Sequence, residues 1–331
     1  INYFEKVFGF PNKLDAYNQI WQFKELFTLI NMVVSLIMLI PLTKILLQLT
    51  FFKEIIKPIP SALPRQSNKS RLVFWIIFFL SASIACVSFI PMVDIAKVLF
   101  VDAANRELTW FFPQRMNNSV MLWAAFNGTI GIIIFLLSFH FFGKHHGINT
   151  KSWGLQVSKN ELIKTFLLGI TIFILYYLML FLNYYIFHVD YRFWFIGVRI
   201  FQPEMLLVLL MYFPLFFIFF FSNSLRVNGS MRFENQPEWQ SRLIAGFANS
   251  LGLIMIIVIQ YVTYFSTGTV FWTTNWLSVN LLFGIVPMMF ILPYFNRIFF
   301  HMTGRVYLGP IVTCLIFIMI LSTNTVVYLP I

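Results

Sequence analysis

The chain has 331 residues, of which 59% are hydrophobic, 11% are charged and 42 are phenylalanine. Soluble domains carry about 25% charged residues, and one soluble domain of this length cannot bury so many apolar side chains. The net charge of +11 is spread between apolar runs and does not form the basic platform of a nucleic-acid-binding module. The composition therefore excludes an ordinary soluble protein and a nucleic-acid partner. It indicates a membrane protein whose partners are membrane lipids.

Eight stretches of the chain are long and apolar enough to cross a bilayer, since a spanning helix needs about 20 mostly apolar residues. They are residues 27–50, 72–93, 119–142, 162–187, 203–222, 243–265, 276–296 and 309–329. The sequence therefore predicts an all-α fold, a polytopic integral membrane bundle of about eight transmembrane helices. We expect residues 27–331 to form this bundle and residues 1–26 to form an extracytoplasmic N-terminal segment.

Two connections between the predicted spans, residues 94–118 and 188–202, mix charged side chains with aromatic ones. Trp110 lies among the charges of the first connection, and Trp194 lies among those of the second. Tryptophan and tyrosine rings settle at the boundary between lipid and water, where ion pairs are only partly hydrated. We therefore expect both connections to dock on the bundle as interfacial segments.

The distribution of Lys and Arg predicts the orientation of the bundle. With the N-terminus outside, 15 of the 23 basic residues fall in the inner loops or at their edges. They are Lys44, Lys53, Lys57, Arg65, Lys69, Arg71, Lys144, Lys151, Lys159, Lys164, Arg226, Arg232, Arg242, Arg297 and Arg305. Cytoplasmic loops carry such an excess. The sequence therefore predicts a multi-pass protein of the cell membrane whose N-terminus and C-terminus are both extracytoplasmic.

Charged residues at the outer ends of the spans are the candidate binding residues. Most acidic residues there have an Arg or Lys nearby in the sequence, which favours ion pairs around an outer-face cleft. The candidates are Asp94, Arg106, Glu107, Asp190, Arg192 and Glu204. Proton- and cation-coupled transporters usually place a carboxylate in the middle of a span, and no predicted span has one.

Amide side chains inside the predicted spans are expected to hydrogen-bond across helices, and six of them are singled out. They are Asn31, Asn127, Asn183, Asn249, Gln260 and Asn280. Each such bond contributes about 0.6 kcal/mol on average. These residues are therefore interpreted as bundle contacts.

Motifs that would carry catalysis or bind a metal do not occur in the sequence. His140, His145 and His146 cluster at the end of the third span, but a di-iron site of the desaturase type needs about eight ligands and the chain has five histidines. There is no G-x-S-x-G, H-E-x-x-H, Walker A or G-x-G-x-x-G motif. Cys86 and Cys314 both lie in apolar runs, as small buried side chains do. The sequence predicts no catalytic residue, no metal site and no cofactor.

Short motifs near both ends of the chain resemble a known family. Thr303–Pro310 reads T-G-R-V-Y-L-G-P, and Phe271–Asn275 reads F-W-T-T-N. Tyr3–Lys6 is followed by N-Q-I-W-Q-F-K-E at Asn18–Glu25. Together they resemble the multi-spanning region that follows the catalytic domain in a group of bacterial membrane-bound α/β-hydrolases. The resemblance implies a serine hydrolase domain outside this chain, joined or associated on the extracytoplasmic side, and it assigns no catalytic residue here.

These observations favour one function and leave two others open. The first is a membrane-embedded module of a larger protein or complex, such as the membrane domain of an outward-facing α/β-hydrolase. The alternative is a transporter or permease subunit that moves a small or lipidic substrate. An intramembrane enzyme is the third class, although the residues that catalysis needs are not apparent in the sequence.

Overall fold

The structure, a computed structural model, describes residues 21–143, 150–193, 196–200 and 202–330. In chain order the α-helices are α1 Trp21–Leu46, α2 Thr50–Lys53, α3 Asn68–Leu99, α4 Val101–Asn105, α5 Arg115–Ser138, α6 Lys159–Phe187, α7 Met205–Gly229, α8 Glu238–Thr267, α9 Trp276–Thr303 and α10 Leu308–Asn324. A π-helical turn, Phe139–Gly143, extends α5, and a 3-10 turn covers Thr150–Trp153. A small antiparallel hairpin pairs β1 Tyr191–Phe193 with β2 Ile196–Val198.

The predicted all-α membrane bundle is confirmed in the described part of the chain. Seven helices, α1, α3 and α5 to α9, are long and apolar enough to cross a membrane. At 1.5 Å per residue the 30 residues of α8 extend about 45 Å, more than the roughly 30 Å of a bilayer's hydrocarbon core. The eighth predicted span forms the 17-residue helix α10, which lies at the lower limit of spanning length.

Most helices continue beyond the apolar runs that predicted them. The fifth predicted span ends at residue 222, but α7 continues through Asn223 and Arg226 to Gly229. In the same way the seventh predicted span ends at residue 296, but α9 continues through Arg297 to Thr303. Hydropathy underestimates these helices because their last turns carry polar side chains, several of which find hydrogen-bond partners inside the bundle.

Helix α10 is the centre of the bundle. Almost all of its residues are buried, from Leu308 to Ser322, and it packs against α6, α7 and α9. A helix that is apolar on every side is expected to be enclosed by others. The more peripheral helices α1 and α3 expose many large apolar side chains, including Phe27, Leu72 and Val87. A bilayer accommodates that surface, whereas water would not.

The loops with the excess of Lys and Arg gather at one end of the bundle, which we call the basic end: residues 53–71, 150–164, 226–242 and 297–308. Lys164 forms an ion pair with Glu54, and Arg305 Nε lies 2.9 Å from Glu161 Oε1. Helix α6 begins here with Ser158, whose Oγ accepts a hydrogen bond from the Glu161 amide. A serine followed three residues later by glutamate is a common helix start.

The connections at the other end, which we call the opposite end, are docked on the bundle as the sequence predicts. The Thr109 amide donates to the Tyr328 carbonyl at 2.7 Å, and the Tyr328 amide donates to the Pro113 carbonyl at 2.8 Å. Asn324 Nδ2 donates to the Gly197 carbonyl of the hairpin at 2.6 Å. Helix α10 therefore runs from the basic end to the opposite end. The hairpin itself was not predicted.

Candidate functional site

The predicted outer-face residues form separate groups in the structure. Asp94 Oδ1 accepts hydrogen bonds from Lys97 Nζ at 2.8 Å and Asn275 Nδ2 at 3.2 Å, which tie the end of α3 to the start of α9. In the hairpin, Asp190 lies 3.1 Å from Arg192 Nε, and its other carboxylate oxygen lies 3.9 Å from Arg199 Nε. The structure therefore brings Asp190 and Arg192 together and places Asp94 in a different ion-pair group.

The other three outer-face candidates are exposed and have structural positions of their own. Arg106 ends α4 in the left-handed conformation, with φ of 67°. The Glu107 amide donates to the Asp102 carbonyl, and Glu204 precedes the first turn of α7. Within the described ranges, no hydrogen bond or ion pair joins these residues to the Asp94 or Asp190 groups. The six candidates thus lie in an Asp94 group, an Asp190–Arg192 group and three exposed positions.

Amide side chains predicted to hydrogen-bond across helices do so in several cases. Asn127 Nδ2 donates to Ser88 Oγ at 3.0 Å, joining α5 to α3. Asn280 Oδ1 accepts from Tyr261 at 3.0 Å, joining α9 to α8. Gln260 instead accepts from a backbone amide, that of Trp272, which closes the connection after α8.

A buried amide network at the centre of the bundle links three helices. Asn223 Nδ2 on α7 donates to Asn249 Oδ1 on α8 at 2.6 Å. Asn296 Nδ2 on α9 donates to Asn223 Oδ1 at 2.7 Å. Asn249 Nδ2 in turn donates to the Met289 carbonyl at 3.0 Å. The network links α7, α8 and α9, and one of its polar atoms, Asn296 Oδ1, is buried without a hydrogen-bond partner.

Two arginines at the basic end also have structural partners. Arg297 is fully buried, and its Nη2 donates to the Val227 carbonyl at 2.8 Å and to Ser241 Oγ at 3.0 Å. Arg232 donates to the Pro60 carbonyl at 2.5 Å. Burial lowers the pKa of the Arg232 guanidinium, while a nearby carboxylate opposes the shift. These two guanidinium groups hold loops in place.

A cavity of about 430 Å³ lies at the basic end, between α3, α5, α7 and α8. Its volume falls within the range of small-molecule pockets, about 300–1,000 Å³. The apolar part of its lining consists of Leu63, Pro64, Val73, Phe74, Ile77, Phe78, Ile134, Phe135, Phe139, Trp153, Met231, Phe233, Ala248 and Gly229. The polar part consists of Arg65, Gln66, Ser67, Lys69, Ser70, Ser81, Ser138, Arg226 and Ser230. No carboxylate is among these described lining residues.

Arg226 is the charged side chain deepest in this cavity. Its Nε is buried without a hydrogen-bond partner. The side chain retains partial accessibility because it lines the cavity. Among the described residues, no carboxylate lies within ion-pair distance of it. In the sequence, Arg226 contributes only to the predicted orientation. The pattern that could have identified it as a site residue is an arginine that follows the polar run Ser222-Asn223-Ser224.

The motifs that carry the family resemblance have structural roles in the described chain. Gly304 ends α9 with φ of 65°, and the new Cβ of any other residue would lie 2.6 Å from the Lys57 carbonyl oxygen. Arg305 pairs with Glu161, and the Tyr307 hydroxyl donates to the Leu155 carbonyl at 2.7 Å. The motif at residues 303–310 therefore fastens the turn that leads into α10.

Groups of three His, Cys, Asp or Glu side chains that can hold a metal ion are not found in the described part of the chain. His140 lies in the π-helical turn, and His145 and His146 lie outside the described residues. Cys314 is buried and Cys86 is partly buried, and both thiols are free. Comparison with protein-family models, with curated proteins and with solved structures finds no match for this chain.

Proposed function

We propose that this helical bundle is the membrane-embedded module of a larger bacterial protein or complex, with its basic end in the cytoplasm. The observation that carries the proposal is the gathering of the Lys- and Arg-rich loops at one end, while α10 runs to the opposite end. Cytoplasmic loops carry the excess of basic residues. This orientation places both ends of the chain on the extracytoplasmic side.

The larger protein is, in this proposal, an outward-facing α/β-hydrolase. Support comes from the resemblance of the motifs at residues 271–275 and 303–310 to the membrane region of that family. Their contacts are structural, as expected of a membrane module whose catalytic groups lie in another domain. The opposite end, with its docked hairpin and connections, offers an ordered surface on which such a domain can rest.

A membrane-impermeant fluorophosphonate tests this proposal on the full-length protein in intact cells. The reagent reacts with activated serine nucleophiles. We expect labelling of the full-length protein without cell lysis, and no labelling after heat denaturation. Labelling only after lysis would contradict the outward orientation of the domain. No labelling in either case would contradict the hydrolase assignment.

A transporter or permease subunit is the second candidate, and the cavity at the basic end favours it. A pocket of about 430 Å³ that opens at one end of a bundle can hold a small or lipidic substrate. Against it, the helices that span the membrane contain no mid-span carboxylate for ion coupling. Movement of a fluorescent lipid between the leaflets of reconstituted vesicles would favour this function, and equal rates in protein-free vesicles would oppose it.

A further inference from the structure

The cavity at the basic end has a composition that selects one class of ligand. Three cations, Arg65, Lys69 and Arg226, lie among its lining residues, and no described lining residue is acidic. The remaining polar groups are serine hydroxyls and one amide, which are uncharged, and most of the hydroxyls donate within the protein. Most of the wall is aliphatic or aromatic. The positive charge therefore favours a ligand with an anionic group, and the apolar wall favours a ligand that also carries a hydrocarbon chain.

Arg226 supplies the specific group for the anion. Its guanidinium has five N–H donors, and none of them donates to a described residue. The buried arginines Arg232 and Arg297, by contrast, each donate to backbone carbonyls. A charged group whose buried N–H has no partner is destabilising. A bound anion would remove that cost.

The neighbouring helix leaves room for this guanidinium. A Cβ at Gly131 on α5 would lie 3.2 Å from Arg226 Nε and 2.6 Å from Ser222 Oγ. Ser222 is itself fully buried, and its Oγ has no hydrogen-bond partner. A second unsatisfied polar group therefore lies beside the unpaired arginine, on the same face of α7.

The start of α3 contributes to the same environment. Ser67 caps this helix, and Ser67, Lys69 and Ser70 line the cavity. The first amides of a helix lack partners within the helix and carry a partial positive charge, which favours anions. The apolar face that follows, with Phe74, Ile77 and Phe78 on α3, extends away from this charged group towards the bundle interior. Arg65 and Lys69 therefore lie before this apolar face, and Arg226 lies at its inner end, near Ser81 and Gly131.

We propose that the cavity binds an anionic lipid, with its phosphate on Arg226 and part of an acyl chain against the apolar wall. A free inorganic anion would leave that wall exposed to water, and a zwitterionic lipid would bring a second cation to a cavity already lined by three. Charge-assisted hydrogen bonds from a guanidinium to a phosphate are among the strongest in proteins and are frequently bidentate. The site does not depend on whether a hydrolase domain is attached.

Native mass spectrometry of the full-length protein in detergent tests this site, with dioleoylphosphatidic acid as the probe. Dioleoylphosphatidylcholine carries the same tails with a zwitterionic head group, and inorganic phosphate carries the head group alone. We expect phosphatidic acid to bind at least about tenfold more tightly than either comparison ligand. Equal binding of phosphatidylcholine, or equal binding of inorganic phosphate, would overturn the proposal.

Two substitutions locate the site. Arg226→Gln is expected to weaken phosphatidic acid binding about tenfold or more, because it removes the charge and most of the donors. Arg71→Gln is the matched control, since Arg71 is exposed at the same end and does not line the cavity. It should bind like the wild-type protein. Equal affinities for the wild-type protein and Arg226→Gln would overturn the proposal.

A third variant covers the case in which Arg226→Gln does not fold. Ile134→Trp keeps all three cations and adds bulk to the apolar wall. We expect it to lose phosphatidic acid binding to a similar extent, because the acyl chain no longer fits. Wild-type affinity in a folded Ile134→Trp protein, with its elution volume unchanged, would show that the lipid does not occupy this cavity.

Discussion

Replacement of Asn223 by alanine tests the buried amide network at the centre of the bundle. The change removes two hydrogen bonds between helices, of 2.6 Å to Asn249 and 2.7 Å from Asn296. Bonds of this kind contribute about 0.6 kcal/mol on average and at most about 1.7 kcal/mol. Because both partners remain buried after the change, we expect a loss of about 1–3 kcal/mol in the free energy of unfolding.

The measurement is unfolding in detergent micelles, followed by circular dichroism, with Ser250→Ala as the control. Ser250 is also fully buried on α8, but its hydroxyl donates to the Gly246 carbonyl of its own helix. The control should lose less than about 0.5 kcal/mol. A double-mutant cycle with Asn249→Ala should show a coupling of about 0.5–1.5 kcal/mol. Equal stabilities for Asn223→Ala and Ser250→Ala would refute the reasoning.

Three further predictions concern the two ends of the bundle. In the same unfolding assay, Gly304→Ala should lower the free energy of unfolding by about 1–2 kcal/mol more than Gly268→Ala. Both glycines have positive φ, but only Gly304 has a loop carbonyl oxygen 2.6 Å from the position of the new Cβ. The Lys164 ammonium lowers the pKa of Glu54 from its ordinary 4.5. The ion pair therefore stabilises the folded protein above pH 4.5. This stabilisation is lost as the pH falls through the lowered pKa that Glu54 has in the folded protein. The melting temperatures of wild type and Glu54→Gln should therefore differ at pH 7 and converge in acid; a constant difference would contradict this. Asp190→Ala should lower the free energy of unfolding by about 1–3 kcal/mol, because it leaves Arg192 and Arg199 without their ion-pair partner. An unchanged melting temperature would show that these ion pairs are fully solvated.

Hydropathy predicts the number and order of the eight long described helices, but not the short helices α2 and α4 and not the helix ends. Spans of about 20 apolar residues are recognisable because lipid selects apolar side chains on most faces. The last two turns or so of α7 were missed because Asn223 and Arg226 read as a polar loop. Only the packed structure shows that Asn223 has partners on α8 and α9. The hairpin was missed because its strands have three residues each, too few to produce a periodic pattern.

The candidate sites differ in how far the sequence reveals them. Opposite charges close in sequence, such as Asp190 and Arg192, predict an ion pair correctly. The cavity depends on residues from four helices and three loops, and their convergence follows from tertiary packing that local patterns do not encode. Arg226 illustrates the difference. In the sequence it is one of many basic residues near the membrane, and in the structure it lines a cavity with its Nε buried and without a partner.

The orientation of the bundle is the central claim, and cysteine accessibility in intact cells tests it most directly. In a background with Cys86 and Cys314 replaced by alanine, single cysteines would be placed at exposed positions of both ends. Ser61 and Gln240 mark the basic end, and Asn105 and Ser266 mark the opposite end.

A membrane-impermeant maleimide should label the cysteines at Asn105 and Ser266 in intact cells, and those at Ser61 and Gln240 only after permeabilisation. In the proposed orientation the basic end faces the cytoplasm, where the excess of Lys and Arg is expected. Labelling of Ser61 and Gln240 in intact cells, with Asn105 and Ser266 protected, would contradict the account.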